Sequence, residues 1–271
     1  LVSRFTPGER VVVWAPNIPQ WLFLEYACAF SGLVLVTANP SFQEKELRYV
    51  LEQSGAVALF LVDSFRGNAM ADIAQKAIEG NGQIREVVNL EDETVLFKQG
   101  SKLVDLPGVK PTDPAQIQYT SGTTGFPKGA VLSHYNLVNN ARLFAARKKV
   151  HQQSVWANFM PMFHTAGCAT TALGSLQAAC KMLMIKLFDA KILARLIESE
   201  GITTFFAVPT MLVGLLEALD REDRDMSSME VITTGGAPVP PELVRQVRDR
   251  LGCSLQSAFG QTEASPMICL N

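Results

Sequence analysis

A short stretch near the middle of the chain has the composition of an anion-binding loop. Residues 120–129 read TSGTTGFPKG and hold four hydroxyl side chains, three glycines and one lysine. Glycines let backbone N–H groups approach an anion without obstruction by Cβ atoms, hydroxyls donate hydrogen bonds, and Lys128 adds a positive charge that suits phosphate. The stretch therefore predicts a phosphate cradle. The alternative is a solvated turn between strands, which has no need for this set of side chains.

The loop matches neither of two common nucleotide-binding patterns. A Walker A loop ends in Gly-Lys-Ser or Gly-Lys-Thr, whereas Lys128 lies between Pro127 and Gly129. The loop is not a GxGxxG sequence either. The strand-like run 116–119 comes directly before it, so we expect a strand to lead the chain into the cradle.

Three later segments carry further candidates for chemistry. They are PMFHTAG at 161–167, TTGGAP at 233–238 and FGQTE at 259–263. Taken alone, His164 in an apolar run is typical of a core histidine, and two glycines before a helix also fit an ordinary turn. One alternative for Glu263 is a solvated charge after a strand, but a carboxylate is also a hard oxygen ligand that suits Mg²⁺.

Short β-branched runs alternate with helical patterns along most of the chain. Strands are predicted at 10–14, 33–37, 57–62 and 203–208, and helices over 18–31, after a capping box at Ser41–Glu44, after Asp189 and after Pro240. The last two helices are expected to end at Gly201 and Gly252. The region 91–114 has little pattern and is predicted to be loop. This alternation predicts an α/β fold of parallel sheets with helices outside.

Composition and charge narrow the functional classes. The chain has 271 residues, of which 48% are hydrophobic and 18% charged, so it is too apolar for a disordered protein. Its net charge of −2 gives no electrostatic footprint for nucleic acid. The most apolar stretches, 21–36 and 165–185, contain Glu25 and Lys181, respectively, and neither predicts a transmembrane segment.

Cysteine and histidine spacing gives no disulfide framework and no zinc pattern. The five cysteines contain no CxxC pair and lie among apolar or small residues, so we expect buried free thiols in a reducing compartment. They are Cys28, Cys168, Cys180, Cys253 and Cys269. The expected location is intracellular, in the cytoplasm or an organellar matrix. Peripheral attachment to a membrane is an option for which the sequence has no motif.

The segment YTSGTTGFPKGA, Tyr119 to Ala130, closely resembles the phosphate-binding signature of the adenylate-forming (AMP-binding) superfamily. That superfamily includes acyl-CoA synthetases, peptide-synthetase adenylation domains and beetle luciferases. The three later segments resemble further family motifs in the family order, and PSFQEKELRYVLEQSGA resembles fatty acyl-CoA synthetases more than luciferases. The resemblance implies the large N-terminal domain of these enzymes, with packed, mostly parallel sheets flanked by helices.

The resemblance also implies which residues hold ATP. The phosphates are assigned to Thr120, Ser121, Gly122, Thr123, Thr124, Gly125 and Lys128. The adenine is assigned to the turn of Gly235, Gly236, Ala237 and Pro238, with Phe259 stacking where the family has Tyr and Gly260 in the same motif. Thr262 is expected to contact the phosphate, and Glu263 to hold Mg²⁺. The expected catalytic set is Lys128, His164, Thr262 and Glu263, with His164 on the acyl side.

The implied reaction is the ATP-dependent conversion of a carboxylic acid, of medium- or long-chain fatty type, to acyl-AMP, followed by thioester formation with CoA. ATP, Mg²⁺ and CoA are therefore the expected cofactors and co-substrates, and a homodimer is one option for assembly. A carboxylate is already a nucleophile at neutral pH, so no Ser–His–Asp set is required. Candidate walls of the apolar channel for the acid are Phe163, Val208, Pro209, Met211 and the turn at 235–237.

The family has further parts beyond the last motif. They are a ribose-binding aspartate, a hinge and a small C-terminal domain with a catalytic lysine, and we expect them to lie outside residues 1–271. We therefore expect these residues to be one large N-terminal domain with interleaved α/β subdomains, cut from a longer ligase. Three alternatives remain at this stage: a nucleotide- or acyl-binding module without turnover, an adenylation domain serving a carrier protein, and a luciferase-like oxygenase.

Overall fold

The structure is a computed structural model and describes residues 1–96, 105–120 and 127–271, apart from the side chain of residue 95. These residues form two compact units, 1–135 and 136–271. Each unit is built around one mostly parallel sheet with helices packed beside it. The predicted α/β class with mostly parallel sheets is confirmed.

The sheet of the first unit has the strand order β4-β3-β1-β2-β5-β6. Its strands are β1 (Arg10–Trp14), β2 (Val34–Thr37), β3 (Ala56–Leu61), β4 (Glu86–Asn89), β5 (Pro114–Thr120) and β6 (Lys128–Ser133). Its helices are α1 (Pro19–Ser31), α2 (Glu44–Ser54), α3 (Met70–Ile78) and α4 (Glu93–Leu96). All neighbouring strands run parallel except β5 and β6, which form an antiparallel pair. The valines of β1 are fully buried, as expected for a strand covered on both faces.

A buried carboxyl group joins α1 to β5 in this unit. Glu25 is 5% exposed, and its Oε1 accepts a hydrogen bond of 2.6 Å from Nε2 of Gln116. Nε2 of Gln118 in turn donates to Oε1 of Gln116 at 2.8 Å. Burial raises the pKa of Glu25 to about 8, so the carboxyl is mostly protonated at neutral pH. Hydrogen-bonded polar side chains therefore link α1 to β5, the strand that leads into the predicted cradle.

The sheet of the second unit has the strand order β12-β11-β10-β9-β7-β8. Its strands are β7 (Val155–Asn158), β8 (Lys181–Met184), β9 (Thr204–Ala207), β10 (Val231–Gly235), β11 (Ser254–Gly260) and β12 (Met267–Leu270). The helices are α5 (His134–Arg147), α6 (Gly174–Gln177), α7 (Ala190–Glu200), α8 (Pro209–Arg221) and α9 (Pro241–Leu251), with α5 beginning at the end of the first unit. Only the β11–β12 pair among these described strands is antiparallel.

Helix ends follow the predicted chemistry at most positions. Asp189 caps α7 by accepting a hydrogen bond of 2.9 Å from the Ile192 amide, and Gly201 ends that helix in the left-handed conformation. Gly252 ends α9 in the same way. These side chains and glycines fix where the connections to the following strands begin.

The predicted capping box at Ser41–Glu44 is wrong by two residues. The N-cap of α2 is Gln43, whose amide donates to Oε2 of Glu46 at 2.8 Å. The amide of Ser41 instead donates to Oδ1 of Asn39 at 2.9 Å. Ser41 is therefore part of a local turn before the helix and is not its N-cap. The region 91–114 is also less loop-like than predicted, because it contains α4 and the first residue of β5.

The cysteines are free, but burial holds for only three of the five. Cys28, Cys168 and Cys253 are buried, Cys180 is half-buried and Cys269 is exposed. Cys269 lies on the outermost strand of the second sheet, where one side of the chain faces solvent. No helix in the described part of the chain is both long enough and apolar enough to span a membrane.

Candidate active site

The predicted phosphate cradle connects β5 to β6 in the first unit. Thr120 and Lys128 pair across the antiparallel ladder at the end next to the connection. The predicted ligands between them lie outside the described residues, and their roles stay predictions: Ser121, Gly122, Thr123, Thr124 and Gly125. The structure therefore shows the two strands on either side of the predicted cradle and places Lys128 at the start of the second strand.

Lys128 is an exposed cation at the first position of β6. In the described part of the first unit the ion pairs are Arg4–Glu86, Arg48–Glu44 and Arg85–Glu9, and none of them involves Lys128. Its charge is therefore not offset by a carboxylate among those residues. A lysine of this kind can meet an incoming phosphate as a point charge.

Aromatic side chains hold the hairpin against α2. The Tyr49 hydroxyl donates to the Pro127 carbonyl at 3.0 Å, directly before Lys128. The Tyr119 ring meets the Tyr49 ring edge-on at a centroid distance of 6.3 Å, and its hydroxyl donates to Oε1 of Gln53. Gly129 is needed here because a Cβ atom would come within 2.8 Å of the Ile117 side chain. The base of the cradle is thus fixed on both strands.

The second unit contains an apolar cavity of about 340 Å³. Segments from all three later motifs line it, together with residues that the motifs do not include. The lining residues are Met160, Pro161, Phe163, His164, Ala166, Phe206, Val208, Gly235, Gly236, Ala258, Gly260, Gln261, Thr262, Pro266 and Met267. The structure therefore brings His164, Gly235, Gly236, Gly260 and Thr262 together around one space.

The cavity lies where the parallel strands of the second sheet end. Val208 follows β9, Gly235 is the last residue of β10, and Gly260 is the last residue of β11. In α/β sheets, ligands bind in the crevice outside the carboxyl ends of the strands. The position of the cavity is therefore the one that this class of sheet favours for a small molecule.

His164 faces this cavity from a tight turn after β7. Its amide donates to the Pro161 carbonyl at 3.0 Å, and the Ala166 amide donates to Nδ1 of its ring at 3.1 Å. His164 is exposed at the cavity, and partial removal of its ring from water lowers its pKa, so the ring is neutral at neutral pH. A neutral imidazole that accepts at Nδ1 carries its proton on Nε2. His164 can therefore donate a hydrogen bond to a molecule in the cavity.

A π-helix, Ala166–Leu173, supports the back of this turn. Such helices are rare and are frequently found at functional sites. Gly167 is required at its start, since a Cβ atom would lie 2.3 Å from the Pro161 carbonyl oxygen. The close approach keeps the turn of His164 packed against the helix.

The glycine turn after β10 forms another part of the cavity. A Cβ atom at Gly235 would lie 2.6 Å from the Ala258 carbonyl oxygen, and Gly236 has a φ of 82°, which favours glycine. Gly235 and Gly236 line the cavity, whereas Ala237 and Pro238 lie beyond it on the exposed side of the turn. The two glycines thus leave room for a ligand beside the backbone.

The segment after β11 presents Thr262 and Glu263 on one short 3₁₀ turn, Thr262–Ala264. Thr262 is 8% exposed and lines the cavity, whereas the next side chain, Glu263, is exposed. Gly260 allows the turn to close because a Cβ atom there would lie 2.3 Å from the Pro266 carbonyl oxygen. A hydroxyl that lines the cavity and an exposed carboxylate are therefore adjacent in the chain.

Glu263 is compatible with Mg²⁺ but not with a metal site made by the protein alone. Among the described residues, no group of three or more His, Cys, Asp and Glu side chains could hold an ion. Mg²⁺ usually keeps several waters and takes one or two carboxylates together with substrate phosphates. A single exposed carboxylate beside the cavity fits that ligand set.

Phe259 does not line the cavity. Its neighbours Ala258 and Gly260 do, and the ring, 64% exposed, lies on the other side of β11 as strand alternation requires. An exposed aromatic ring at the end of a strand is available for stacking, so its predicted contact with adenine stays a prediction.

Two of the residues predicted to wall the acyl channel lie at the cavity, and their contact with an acid stays a prediction. Phe163 and Val208 line the cavity, but Pro209 is buried as the first residue of α8 and Met211 packs against the hydrophobic core. Sequence reasoning missed Met160, Phe206 and Met267. Of these three, only Phe206 could have been expected, because it lies on the predicted strand 203–208, along which side chains alternate between the two faces of the sheet.

Sequence reasoning also missed a buried lysine under this sheet. Lys148 is 1% exposed, and its Nζ donates to the Phe205 carbonyl at 2.7 Å and to Oγ1 of Thr233 at 3.0 Å. Burial holds the pKa of this amine well below its usual range. Lys148 follows α5 directly and thereby fixes the end of that helix to β9 and β10.

Comparison with known proteins agrees with this architecture. The family described as AMP-binding enzyme matches residues 2–271. The mitochondrial medium-chain acyl-CoA ligase ACSF2 of Homo sapiens is 32% identical over an alignment of 293 residues, which covers 96% of this chain and 48% of the human protein. The acyl-CoA ligase SID4 of Ajellomyces capsulatus is 31% identical over 298 aligned residues, covering 100% of this chain and 49% of that protein. The chain spans about half the length of these relatives.

Solved structures show the same similarity. The inhibitor-bound N-terminal domain of FACL13 from Mycobacterium tuberculosis has a TM-score of 0.85 at 26% identity, covering 97% of this chain and 65% of that one. The o-succinylbenzoate CoA synthetase MenE from Bacillus subtilis, in complex with its acyl-adenylate intermediate, has a TM-score of 0.85 at 25% identity, covering 99% of this chain and 52% of that one. The resemblance predicted from the motifs is confirmed, and the chain belongs to the family of AMP-binding enzymes, with acyl-CoA synthetases among its relatives.

Proposed function

We propose that this chain carries the acid-activating site of an AMP-forming acyl-CoA synthetase. The observation that supports it best is the cavity of the second unit, which is lined by residues of three separate motifs and is apolar apart from a few convergent polar groups. Sites for small molecules have this composition. The acid is a medium- or long-chain fatty acid, in keeping with the similarity to a medium-chain ligase.

The first step is the attack of an acid oxygen on the α-phosphorus of ATP. The new bond is the oxygen–phosphorus bond of acyl-AMP, the bond between the α-phosphorus and the bridging oxygen breaks, and pyrophosphate leaves with the electron pair. The protein contributes orientation and charge stabilisation rather than a covalent group. Lys128 and the hydroxyls of the cradle are assigned to the phosphates, and Thr262 to the phosphate nearest the acid.

Glu263 would hold Mg²⁺ through its carboxylate, and the ion would neutralise charge on the triphosphate. The carboxylate itself needs no proton transfer to react. The neutral ring of His164, with its proton on Nε2, is assigned as a hydrogen-bond donor to the acid on the acyl side of the cavity. The apolar side chains of Met160, Phe163 and Phe206 would surround the first part of the acyl tail.

The second step transfers the acyl group to the thiol of CoA. The sulfur forms a bond with the carbonyl carbon, AMP leaves, and the thiol proton goes to solvent. An apolar cavity protects the mixed anhydride from water until the thiol arrives. We assign CoA rather than a carrier protein as the acceptor because the relatives named above are CoA ligases.

Exchange of labelled pyrophosphate into ATP tests this proposal. The protein is incubated with ATP, Mg²⁺ and labelled pyrophosphate, with and without fatty acids of increasing length. We expect label in ATP only when a fatty acid is present, because exchange requires acyl-AMP to form and reverse. Binding of ATP without acid-dependent exchange would favour a module without turnover and contradict the proposal.

The exchange assay has a matched control pair in the first unit. Lys128→Ala removes the cradle cation, and Lys45→Ala removes another exposed lysine of the same unit, on α2. We expect the first variant to lose exchange and the second to keep it. Equal exchange in both would remove Lys128 from the site.

A further inference from the structure

The side-chain amide of Asn140 contacts the backbone at both ends of the segment 264–267. Its Nδ2 donates to the Met267 carbonyl at 2.8 Å and to the Ala264 carbonyl at 3.3 Å. The Met267 amide donates to its Oδ1 at 3.0 Å. A primary amide is suited to this arrangement because it donates and accepts at the same time. Asn140 therefore ties this segment to α5.

The segment closes the turn that carries Thr262 and Glu263. The Gln261 amide donates to the Pro266 carbonyl at 2.9 Å, and the Ser265 amide donates to the Thr262 carbonyl at 3.0 Å. These bonds define the shape of the turn, and the antiparallel pairing of β11 with β12 joins its two ends. The bonds from Asn140 connect the turn to a different element, a helix more than 100 residues earlier in the chain.

The helix that holds Asn140 is itself fixed at its other end. Lys148, directly after α5, donates to the Phe205 carbonyl and to Oγ1 of Thr233, and its amine lies 5.2 Å from the centre of the Trp156 ring. Through these contacts α5 is joined to β9 and β10, which end at the cavity. The helix thus gives Asn140 a rigid base relative to the cavity wall.

We propose that Asn140 is a positioning residue that holds the turn of Thr262 and Glu263 in register with the cavity. This inference rests on the proposed function, in which Thr262 contacts phosphate and Glu263 holds Mg²⁺. Catalytic groups must be held within fractions of an ångström by supporting hydrogen bonds. Loss of Asn140 then lowers kcat and weakens the response to Mg²⁺, while the apolar wall formed by Met160 and Phe206 is unchanged.

Three variants test this role in the full chain. Asn140→Ala removes all three bonds, Asn140→Asp keeps an acceptor for the Met267 amide but removes the donor, and Asn139→Ala is the control. Asn139 is the neighbouring residue on the same helix, and its Oδ1 accepts from Arg142 at 3.4 Å. Two readouts are measured: hydrogen exchange of the backbone amides in 261–268, and the Mg²⁺ concentration that gives half-maximal pyrophosphate exchange.

For Asn140→Ala we expect faster amide exchange in 261–268 and an increase of about tenfold in the Mg²⁺ requirement, the size that follows from losing hydrogen bonds of ordinary strength. Asn140→Asp should show slower amide exchange than Asn140→Ala, because one bond remains. Asn139→Ala should match the wild type in both readouts. If Asn140→Ala does not fold, the comparison of Asn140→Asp with Asn139→Ala gives the same test.

Combining Asn140→Ala with Glu263→Gln separates positioning from a general loss of structure. If Asn140 acts through the turn, the double variant loses little more activity than Glu263→Gln alone. Two fully multiplicative losses would overturn the proposal, as would unchanged amide exchange in Asn140→Ala. Absence of acid-dependent pyrophosphate exchange in the wild type would instead contradict the proposed function, while the amide-exchange result would still decide whether Asn140 holds the turn.

Discussion

The first unit carries the lysine proposed to bind phosphate on an exposed hairpin, whereas the second unit encloses a cavity lined by several of the proposed site residues. Lys128 is exposed at the start of β6, and the hairpin is held at its base by Tyr49. In the second unit, Thr262 and Gly235 are buried around a cavity of about 340 Å³. The first unit thus contributes an exposed positive charge, and the second unit contributes an enclosed apolar space.

This difference matches the chemistry of the two proposed substrates, ATP and a fatty acid. A triphosphate is highly charged and is best met by exposed cations and backbone amides, which need no apolar enclosure. A fatty acid tail is apolar and gains from removal of its surface from water. The comparison therefore predicts that loss of Lys128 affects ATP, and that variants of the apolar cavity side chains Met160, Phe163 and Phe206 affect the acid.

Lys128→Ala should give the largest effect on activity. Loss of a charge that stabilises developing negative charge lowers kcat by about 100-fold in comparable sites. Steady-state kinetics should show this loss together with a higher KM for ATP and a nearly unchanged KM for the acid. A changed KM for the acid at constant ATP kinetics would contradict the assignment of Lys128 to ATP.

Glu263→Gln should give a smaller effect with a distinct signature. The amide keeps the size of the side chain but is a weaker Mg²⁺ ligand, so the Mg²⁺ requirement should rise about tenfold. Activity as a function of Mg²⁺ concentration is the measurement. Superimposable titrations of variant and wild type would remove Glu263 from the metal site.

The two units also differ in the ionisable group that each buries. In the first unit, folding raises the pKa of Glu25 from 4.5 to about 8. Between these values the folded carboxyl keeps a proton that the unfolded chain releases, so the free energy of unfolding falls as pH rises, by at most about 1.4 kcal/mol per pH unit. Glu25→Gln should remove this decline in urea unfolding between pH 5 and 8, whereas Glu52→Gln, an exposed carboxylate on α2, should keep it.

Lys148 predicts the opposite trend for the second unit. Its pKa is lowered in the folded state by burial. Between that lowered pKa and the usual value of 10.5, the unfolded chain binds the extra proton, so the free energy of unfolding rises with pH. Lys148→Met should flatten the profile below pH 10.5, and Lys149→Met, a change at the exposed neighbour, should not. A flat wild-type profile with no change in Lys148→Met would show that the amine is not buried.

The sequence allowed prediction of the features that local chemistry decides. Alternating β-branched runs and helical patterns indicated parallel sheets with helices outside, and Asp189 and Gly201 marked the ends of α7 correctly. The adjacency of Gly235 and Thr262 could also be expected, since both follow parallel strands whose carboxyl ends share one edge of a sheet. The order of the motifs along the chain added the prediction that this edge of the sheet binds a nucleotide and an acid.

Long-range contacts could not be read from local patterns. Asn140 and Lys148 act on backbone atoms far away in the chain, and a lone Asn or Lys on a helix gives no signal of such a partner. The capping box was misplaced because Asn39 captures the Ser41 amide, a competition between two local turns that spacing alone does not resolve. Met267 joined the cavity only because the turn before it folds back onto β11.

Transfer of a heavy oxygen isotope from the acid to AMP tests the central claim most directly. A fatty acid labelled in its carboxyl oxygens is incubated with the protein, ATP, Mg²⁺ and CoA. The masses of the nucleotide products are then measured by mass spectrometry. If the acid oxygen attacks the α-phosphorus, one labelled oxygen remains in AMP after the thioester forms. Unlabelled AMP, or ADP and phosphate as the products, would contradict activation of the acid as acyl-AMP.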